Sequence, residues 1–166
     1  MLCGPAGCGK STWAARHFSP TQIVSSDWCR AIVSDDLANQ HATPQAFDLM
    51  HFIIGQRLAL GRLTVADATS VTRQDRRQFL KIARRFNFHS ALVVFNLPLE
   101  VCLVRNSKRD RVVPRQAIVS QHALLEASLS TIGSEGFDLT YVLDEATPSG
   151  MNVKISRRSQ PPSRRA

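Results

Sequence analysis

The stretch GPAGCGKS, residues 4–11, matches the pattern GxxxxGK[ST] in full. A short apolar run over residues 1–3 precedes it, and a helical pattern over residues 10–17 follows it. Backbone N–H groups of such a glycine-rich turn can surround an anion, and the N-terminus of the following helix adds partial positive charge. The stretch therefore predicts a phosphate-binding loop; a glycine-rich turn with a chance GKS is the alternative.

The residues of this loop predict how a nucleotide is held. Lys10 is expected to bridge the β- and γ-phosphates, and the Ser11 hydroxyl is expected to ligate Mg²⁺. The loop therefore predicts that a nucleoside triphosphate binds together with Mg²⁺. The predicted nucleotide-binding residues of the loop and the helix start are Gly4, Pro5, Ala6, Gly7, Cys8, Gly9, Lys10, Ser11 and Thr12.

Length and composition are typical of one globular domain. The chain has 166 residues, 43% of them hydrophobic, which is enough for a core without disulfides or a structural metal. The cysteines form no CxxC pair, which favours a reducing cytoplasm. The longest apolar run covers only residues 91–95, whereas a bilayer span needs about 20 residues. We therefore expect a cytoplasmic protein with no membrane partner.

Hydrophobic runs alternate with helical patterns along the chain, which predicts an α/β domain. We expect a P-loop NTPase fold: a parallel sheet of about five strands, helices on both faces and an arginine-bearing lid. The first strand is shorter than usual, which suggests a start codon placed too late or a fragment of a longer protein. The predicted strands are 1–3, 22–26, 63–67, 91–97 and 139–143, and the predicted helices are 10–17, 46–60, 73–86, 99–107 and 114–130.

Positive charge is concentrated at the end of the chain. The formal net charge is +8, and residues 151–166 contain five Lys and Arg residues and no acid. This composition predicts a disordered tail that either contacts nucleic acid weakly or aids solubility. We therefore predict one domain over residues 1–150 and a basic tail over residues 151–166.

The segment IVSSDWCR, residues 23–30, ends the second predicted strand, and ligands of open α/β sheets collect at the carboxyl ends of strands. Asp27 is the candidate general base for a hydroxyl acceptor, and a helix cap is the alternative role. Arg30 lies one helical turn further on and is either a contact to an acceptor phosphate or a surface residue. Trp28 is expected to pack, with stacking on an acceptor base as the alternative.

Further candidates lie in two later segments. Arg105 and Arg109 are four residues apart in EVCLVRNSKRDR, so on one helix they would project from the same face and grip a polyphosphate as a lid. A solvated helix end, with Arg111 as an ordinary surface residue, is the alternative. Asp67 ends the strand in LTVADAT, where an acidic residue acts through a Mg²⁺-bound water or caps a helix.

The segments GPAGCGKST, IVSSDWCR, LGRLTVADAT, VVFNLP and VRNSKR together resemble the kinase domain of bacterial polynucleotide kinase-phosphatase over about residues 2–143. The resemblance implies a P-loop phosphotransferase that moves the γ-phosphate of ATP to 5′-OH ends of RNA or DNA. It matches Lys10 and Ser11 to the ATP and Mg²⁺ ligands, Asp27 to the general base, Arg30 to an acceptor-phosphate contact, and Arg105 with Arg109 to the lid arginines. Members of this family usually continue into a phosphatase domain, and some into an RNA ligase module, so such domains or partners are expected outside this chain.

Three functions are compatible with these residues. The main prediction is a polynucleotide 5′-hydroxyl kinase of nucleic-acid repair, with Lys10, Asp27, Arg105 and Arg109 as catalytic residues. The first alternative is a small-molecule P-loop kinase acting on a sugar, nucleoside or antibiotic, because the same residues would meet its catalytic demands. The second alternative is a nucleotide-dependent module that binds nucleic acid without turnover.

Overall fold

A computed structural model describes residues 1–144 of the chain. The predicted basic tail, 151–166, and the last residues of the predicted domain lie outside the described residues. Strands and helices follow one another as β1 Leu2–Cys3, α1 Lys10–His17, β2 Ile23–Ser25, α2 Ser26–Ser34, α3 Thr43–Ala59, β3 Val65–Asp67, α4 Arg73–Arg85, β4 Ala91–Phe95, α5 Leu99–Ser107, α6 Arg115–Ile132 and β5 Leu139–Leu143.

The five strands are parallel and form two hydrogen-bonded groups. Strand β4 pairs with β1 and β5, and β2 pairs with β3. The groups meet where β1 and β3 lie side by side, and the Gly4 N–H just after β1 donates to the Thr69 carbonyl at 2.9 Å. All carboxyl ends of the strands therefore lie at one edge of the sheet, which is where ligands of such folds bind.

Helices cover both faces of the sheet, as predicted. Along β4, Val93 and Phe95 pack into one cluster, whereas Leu92 and Val94 pack into another, because successive side chains of a strand point to opposite faces. A third cluster joins β2 and β3 to α3 and α4 through residues such as Met50. The predicted fold class is confirmed.

Helix α2 is the one long element that the hydrophobic pattern does not predict. The Ser25 hydroxyl caps it by accepting from the Trp28 N–H at 3.4 Å. Its apolar residues Ile32 and Val33 are exposed, whereas the polar Arg30 is buried, so burial in this helix does not follow hydrophobicity. The predicted strand 22–26 therefore ends at Ser25, and the chain turns at once into a helix.

No helix within residues 1–144 is both long enough and apolar enough to cross a membrane. The longest helix, α6, has 18 residues. Its buried residues are Ile118, Leu125 and Ile132, which are seven positions apart and so lie on one face. This is the pattern of a helix packed on one face of a globular domain.

Candidate active site

The phosphate loop lies between β1 and α1 at the carboxyl edge of the sheet. Gly7 has a φ of 82°, in the left-handed region that favours glycine. A Cβ at this position would clash with the Cys102 carbonyl oxygen of α5. The loop backbone is therefore packed directly against α5, and only glycine fits at its tip.

Lys10, the first residue of α1, is buried inside this loop. Its Nζ donates to the carbonyl oxygens of Gly4 and Pro5, each at 2.8 Å, and lies 3.4 Å from the Cys8 Sγ. The ammonium group is thus placed among the loop residues that were predicted to surround the phosphates. All of these contacts are with residues of the loop itself.

The loop is also anchored to α6 by a contact that the sequence analysis missed. The Ala6 N–H donates to the Gln121 Oε1 at 2.8 Å. Ala6 was predicted to contact ATP, and its N–H has a protein partner in this structure. The two residues are 115 positions apart, so no local sequence pattern predicts that Gln121 contacts the loop.

Asp67 ends β3 and is buried beside the loop. Burial raises the pKa of its carboxyl; the hydrogen bond from Ser11 and the charges of Lys10 and Arg109 lower it, and the neighbouring Asp27 charge raises it, so the net pKa is above its ordinary value. The alternative role of Asp67 as a helix cap is wrong, because Thr72 caps α4. Asp67 therefore lies in one electrostatic cluster with the other predicted site residues.

The Ser11 hydroxyl and the Asp67 carboxylate are the predicted Mg²⁺ ligands, and Ser11 is among the groups that lower the pKa of Asp67. Both supply oxygen, which Mg²⁺ prefers. Within residues 1–144 no cluster of three or more His, Cys, Asp or Glu side chains could hold a metal. The residues therefore fit a Mg²⁺ ion that takes its remaining ligands from nucleotide phosphates and water.

Asp27 lies in the first turn of α2 and pairs with two arginines. Its Oδ1 accepts from the Arg30 Nη1 at 2.6 Å, and its Oδ2 lies 3.0 Å from the Arg111 Nη1. The Asp27 side chain is 43% exposed, compared with 6% for Arg30 and 30% for Arg111. Asp27 is therefore an accessible carboxylate with one guanidinium on each oxygen.

Arg30 is buried, so its alternative assignment as a surface residue is wrong. Its Nη1 also contacts the Leu37 carbonyl at 3.4 Å, but its Nε is buried without a hydrogen-bond partner in the described part of the chain. Trp28, beside Asp27, is 51% exposed. The expectation that Trp28 packs is therefore wrong, and its indole is free to contact a ligand.

Of the two predicted lid arginines, only Arg105 is on a helix and contacts the phosphate loop. Its Nη1 donates to the Cys8 carbonyl at 3.4 Å. Helix α5 ends at Ser107, and the Arg109 N–H donates to the Asn106 carbonyl in the following turn. The prediction that both project from one helical face is therefore wrong, although the charge of Arg109 still lowers the pKa of Asp67.

The lid loop, residues 108–114, connects α5 to α6. Asn106 is buried and clamps this loop: its Nδ2 donates to the Val113 carbonyl at 2.9 Å, and its Oδ1 accepts from the Val113 N–H at 3.0 Å. The sequence analysis missed Asn106 and left Arg111 as a surface alternative. The available signals were a lone amide in an apolar helix and a second arginine in the run KRDR, residues 108–111.

Comparison with protein-family models matches residues 1–128 to the AAA domain model AAA_33, which is more than half of the chain. The chain belongs to this AAA domain family. No curated protein sequence matches this AAA domain at a significant level.

Several solved kinases share the fold of this AAA domain. A gluconokinase from Sinorhizobium meliloti is 21% identical, with a TM-score of 0.56 over 92% of this chain and 85% of that one. The APS kinase of Mycobacterium tuberculosis, solved with AMPPNP and APS, is 17% identical, with a TM-score of 0.57 over 89% and 88%. Shikimate kinase from Acinetobacter baumannii, solved with shikimate, is 21% identical, with a TM-score of 0.51 over 84% and 79%.

At these identities the similar structures define the fold alone: this AAA domain has the P-loop kinase fold. The resemblance to polynucleotide kinase-phosphatase is not confirmed by these comparisons. The kinases that they name are named for small molecules.

Proposed function

We propose that this AAA domain is an ATP- and Mg²⁺-dependent phosphotransferase that phosphorylates a hydroxyl group of a small anionic acceptor. The observation that carries the proposal is the position of the Asp27 carboxylate. It is accessible, it lies at the same edge of the sheet as the phosphate loop, and it pairs with two arginines. A base beside the phosphate loop is what transfer to a hydroxyl requires. The charge of Asp27 also raises the pKa of Asp67, which supports a base close to the predicted metal ligands.

In the proposed reaction, an acceptor hydroxyl oxygen attacks the γ-phosphorus of ATP. A new O–P bond forms, the bond from the γ-phosphorus to the β–γ bridging oxygen breaks, the hydroxyl proton passes to Asp27, and ADP leaves. Lys10, Arg105 and Arg109 place positive charge around the transferring group, where it stabilises the transition state. Mg²⁺ held by Ser11 and Asp67 would neutralise phosphate charge.

The charges around Asp27 support an anionic acceptor. When Asp27 takes the hydroxyl proton it becomes neutral, which leaves the Arg30 and Arg111 guanidiniums without their counter-ion. A carboxylate or phosphate on the acceptor would restore that pairing and satisfy the buried Arg30 Nε. Gluconate, shikimate and APS, which the names of the similar kinases point to, all carry an anionic group.

A polynucleotide 5′-OH end is the second candidate acceptor. The segments SSDWCR and LTVADAT favour it through the family resemblance, and Trp28 offers an exposed indole next to Asp27. Base stacking on an aromatic side chain is a usual element of single-strand binding. On this alternative, nucleic acid is the substrate, and any phosphatase or ligase activity comes from domains outside this chain.

The test offers γ-labelled ATP and Mg²⁺ with four acceptors: gluconate, shikimate, APS and an oligonucleotide with a 5′-OH end. We expect label on a small molecule, and a loss of at least about 100-fold in Asp27→Asn with ATP binding retained. Asp48→Asn is the matched control, because Asp48 is an exposed carboxylate on α3. Label only on the oligonucleotide would favour the second candidate, and equal transfer by Asp27→Asn would refute Asp27 as the base.

If no acceptor is labelled while the oligonucleotide binds in a salt-dependent manner, the chain is a binding module without turnover. That result would overturn both phosphotransferase candidates at once.

A further inference from the structure

Both oxygens of the Asp27 carboxylate are engaged by arginines that come from different parts of the fold. Arg30 belongs to the same helix, α2, whereas Arg111 belongs to the lid loop that follows α5. The Arg111 contact is thus a direct link between the lid loop and the candidate base. Arg105 of α5 contacts the phosphate loop, whereas Arg111 of the lid loop contacts Asp27, so Arg111 is the arginine on the acceptor side.

The two arginines differ in how firmly they are held. Arg30 is buried and also contacts the Leu37 carbonyl, so its pairing with Asp27 is part of the α2 structure. Arg111 is partly exposed, and Asp27 is its only charged partner among residues 1–144. A partly exposed pair of this kind contributes little to stability and exchanges partners readily. Arg111 is therefore the contact that can change when an acceptor binds.

The hydroxyl of an acceptor needs one oxygen of Asp27 as proton acceptor, and Arg30 already holds Oδ1. We infer that Arg111 is a specificity-determining and positioning residue: it holds the lid loop on Asp27 and transfers its guanidinium to the anionic group of the arriving acceptor. Oδ2 is released to the hydroxyl at the same time. This inference rests on the proposed phosphotransferase function and assigns acceptor selection to the lid loop.

The mechanism makes an acceptor without an anionic group a poor substrate, because nothing on it replaces Asp27 as the partner of Arg111. Discrimination between charged and neutral acceptors should therefore depend on Arg111, whereas the affinity for ATP should not. A residue that only stabilises the fold would lower both acceptor rates equally.

The test compares two acceptor pairs in which one member lacks the anion: gluconate with glucose, and a nucleoside 3′-phosphate with the nucleoside. The measured quantity is the ratio of kcat/KM for the charged and neutral members in the wild type, Arg111→Ala and Arg111→Lys. Arg77→Ala removes the same charge from an exposed position on α4 and is the matched control. Thermal unfolding of each variant checks that the fold is retained.

We expect Arg111→Ala to lower the ratio about tenfold or more through the KM of the charged acceptor, with the KM for ATP unchanged. Arg111→Lys should give an intermediate ratio, because it keeps the charge but loses the planar fork. An unchanged ratio, or an equal loss for charged and neutral acceptors, overturns the inference while the wild-type transfer still supports the proposed function. If the wild type labels none of these acceptors, the inference falls together with the small-molecule proposal.

Discussion

At the scale of single residues, Asp67 is a buried carboxylate. Its neighbours offset only part of the free-energy cost of burying its charge. Its folded-state pKa is raised above the unfolded value, chiefly by burial, so the ionised form costs stability at neutral pH. The contribution of Asp67 to the free energy of unfolding is therefore most favourable below its unfolded-state pKa, and it falls as the pH rises through its folded-state pKa. We therefore expect Asp67→Asn to raise the unfolding temperature in Mg²⁺-free buffer and to slow transfer on the order of 100-fold. Calorimetry with and without MgATP checks this, with Asp48→Asn as the exposed control; a lower unfolding temperature in Asp67→Asn would refute it.

At the scale of elements, the lid loop is held by one side chain. Asn106 makes two hydrogen bonds to Val113, and these close the loop that carries Arg109 and Arg111. Asn106→Ala leaves the partly buried N–H and C=O of Val113 without these partners, which costs about 1–2 kcal/mol in the free energy of unfolding. We expect transfer to slow by about tenfold or more as well, because the lid arginines lose their fixed positions.

Urea unfolding and steady-state kinetics on the same preparation separate these two effects of Asn106→Ala. Ser107→Ala is the control: it removes only an exposed hydroxyl that bonds to the Val104 carbonyl within α5. If Asn106→Ala lowers stability but transfers phosphate at the wild-type rate, the clamp supports the fold and not the site.

Helices α2 and α5 also show what local sequence patterns can and cannot predict. The phosphate loop, the strands and α4 carry their signals within a few residues, as in the capping box formed by Thr72 and Asp75. Helix α2 was not among the predicted helices, and it exposes apolar side chains and buries an arginine, so its burial could not be predicted from hydrophobicity. The end of α5 at Ser107 agrees with the predicted helix 99–107, but the expectation that Arg105 and Arg109 share one helical face is wrong, because Arg109 lies in the turn after that end.

At the scale of the whole molecule, the unpredicted contacts join residues that are distant in sequence. Asp27 pairs with Arg111, and Ala6 with Gln121, across different elements of the fold. Periodicity and capping rules describe neighbours within one element, so they predict which residues lie at the carboxyl edge of the sheet but not their partners there. The candidate site could therefore be located from the sequence, whereas its pairing could not.

Arg76 of α4 makes another contact of this kind in the interior, with Glu135, which is 59 positions away. Its Nε donates to the Glu135 Oε2 at 2.8 Å, and its Nη1 donates to the Val71 carbonyl at 2.8 Å, so it ties the segment after β3 to the turn after α6. Both side chains of the ion pair are buried. Arg76→Met leaves a buried carboxylate unpaired and should cost about 3–5 kcal/mol, whereas adding Glu135→Gln removes that charge and should restore part of the loss. Urea unfolding of both variants measures this, with Arg77→Ala expected within about 0.5 kcal/mol of wild type. Equal stability of the single and double variants would mean that the lost hydrogen bonds of Arg76, and not the orphaned charge of Glu135, dominate.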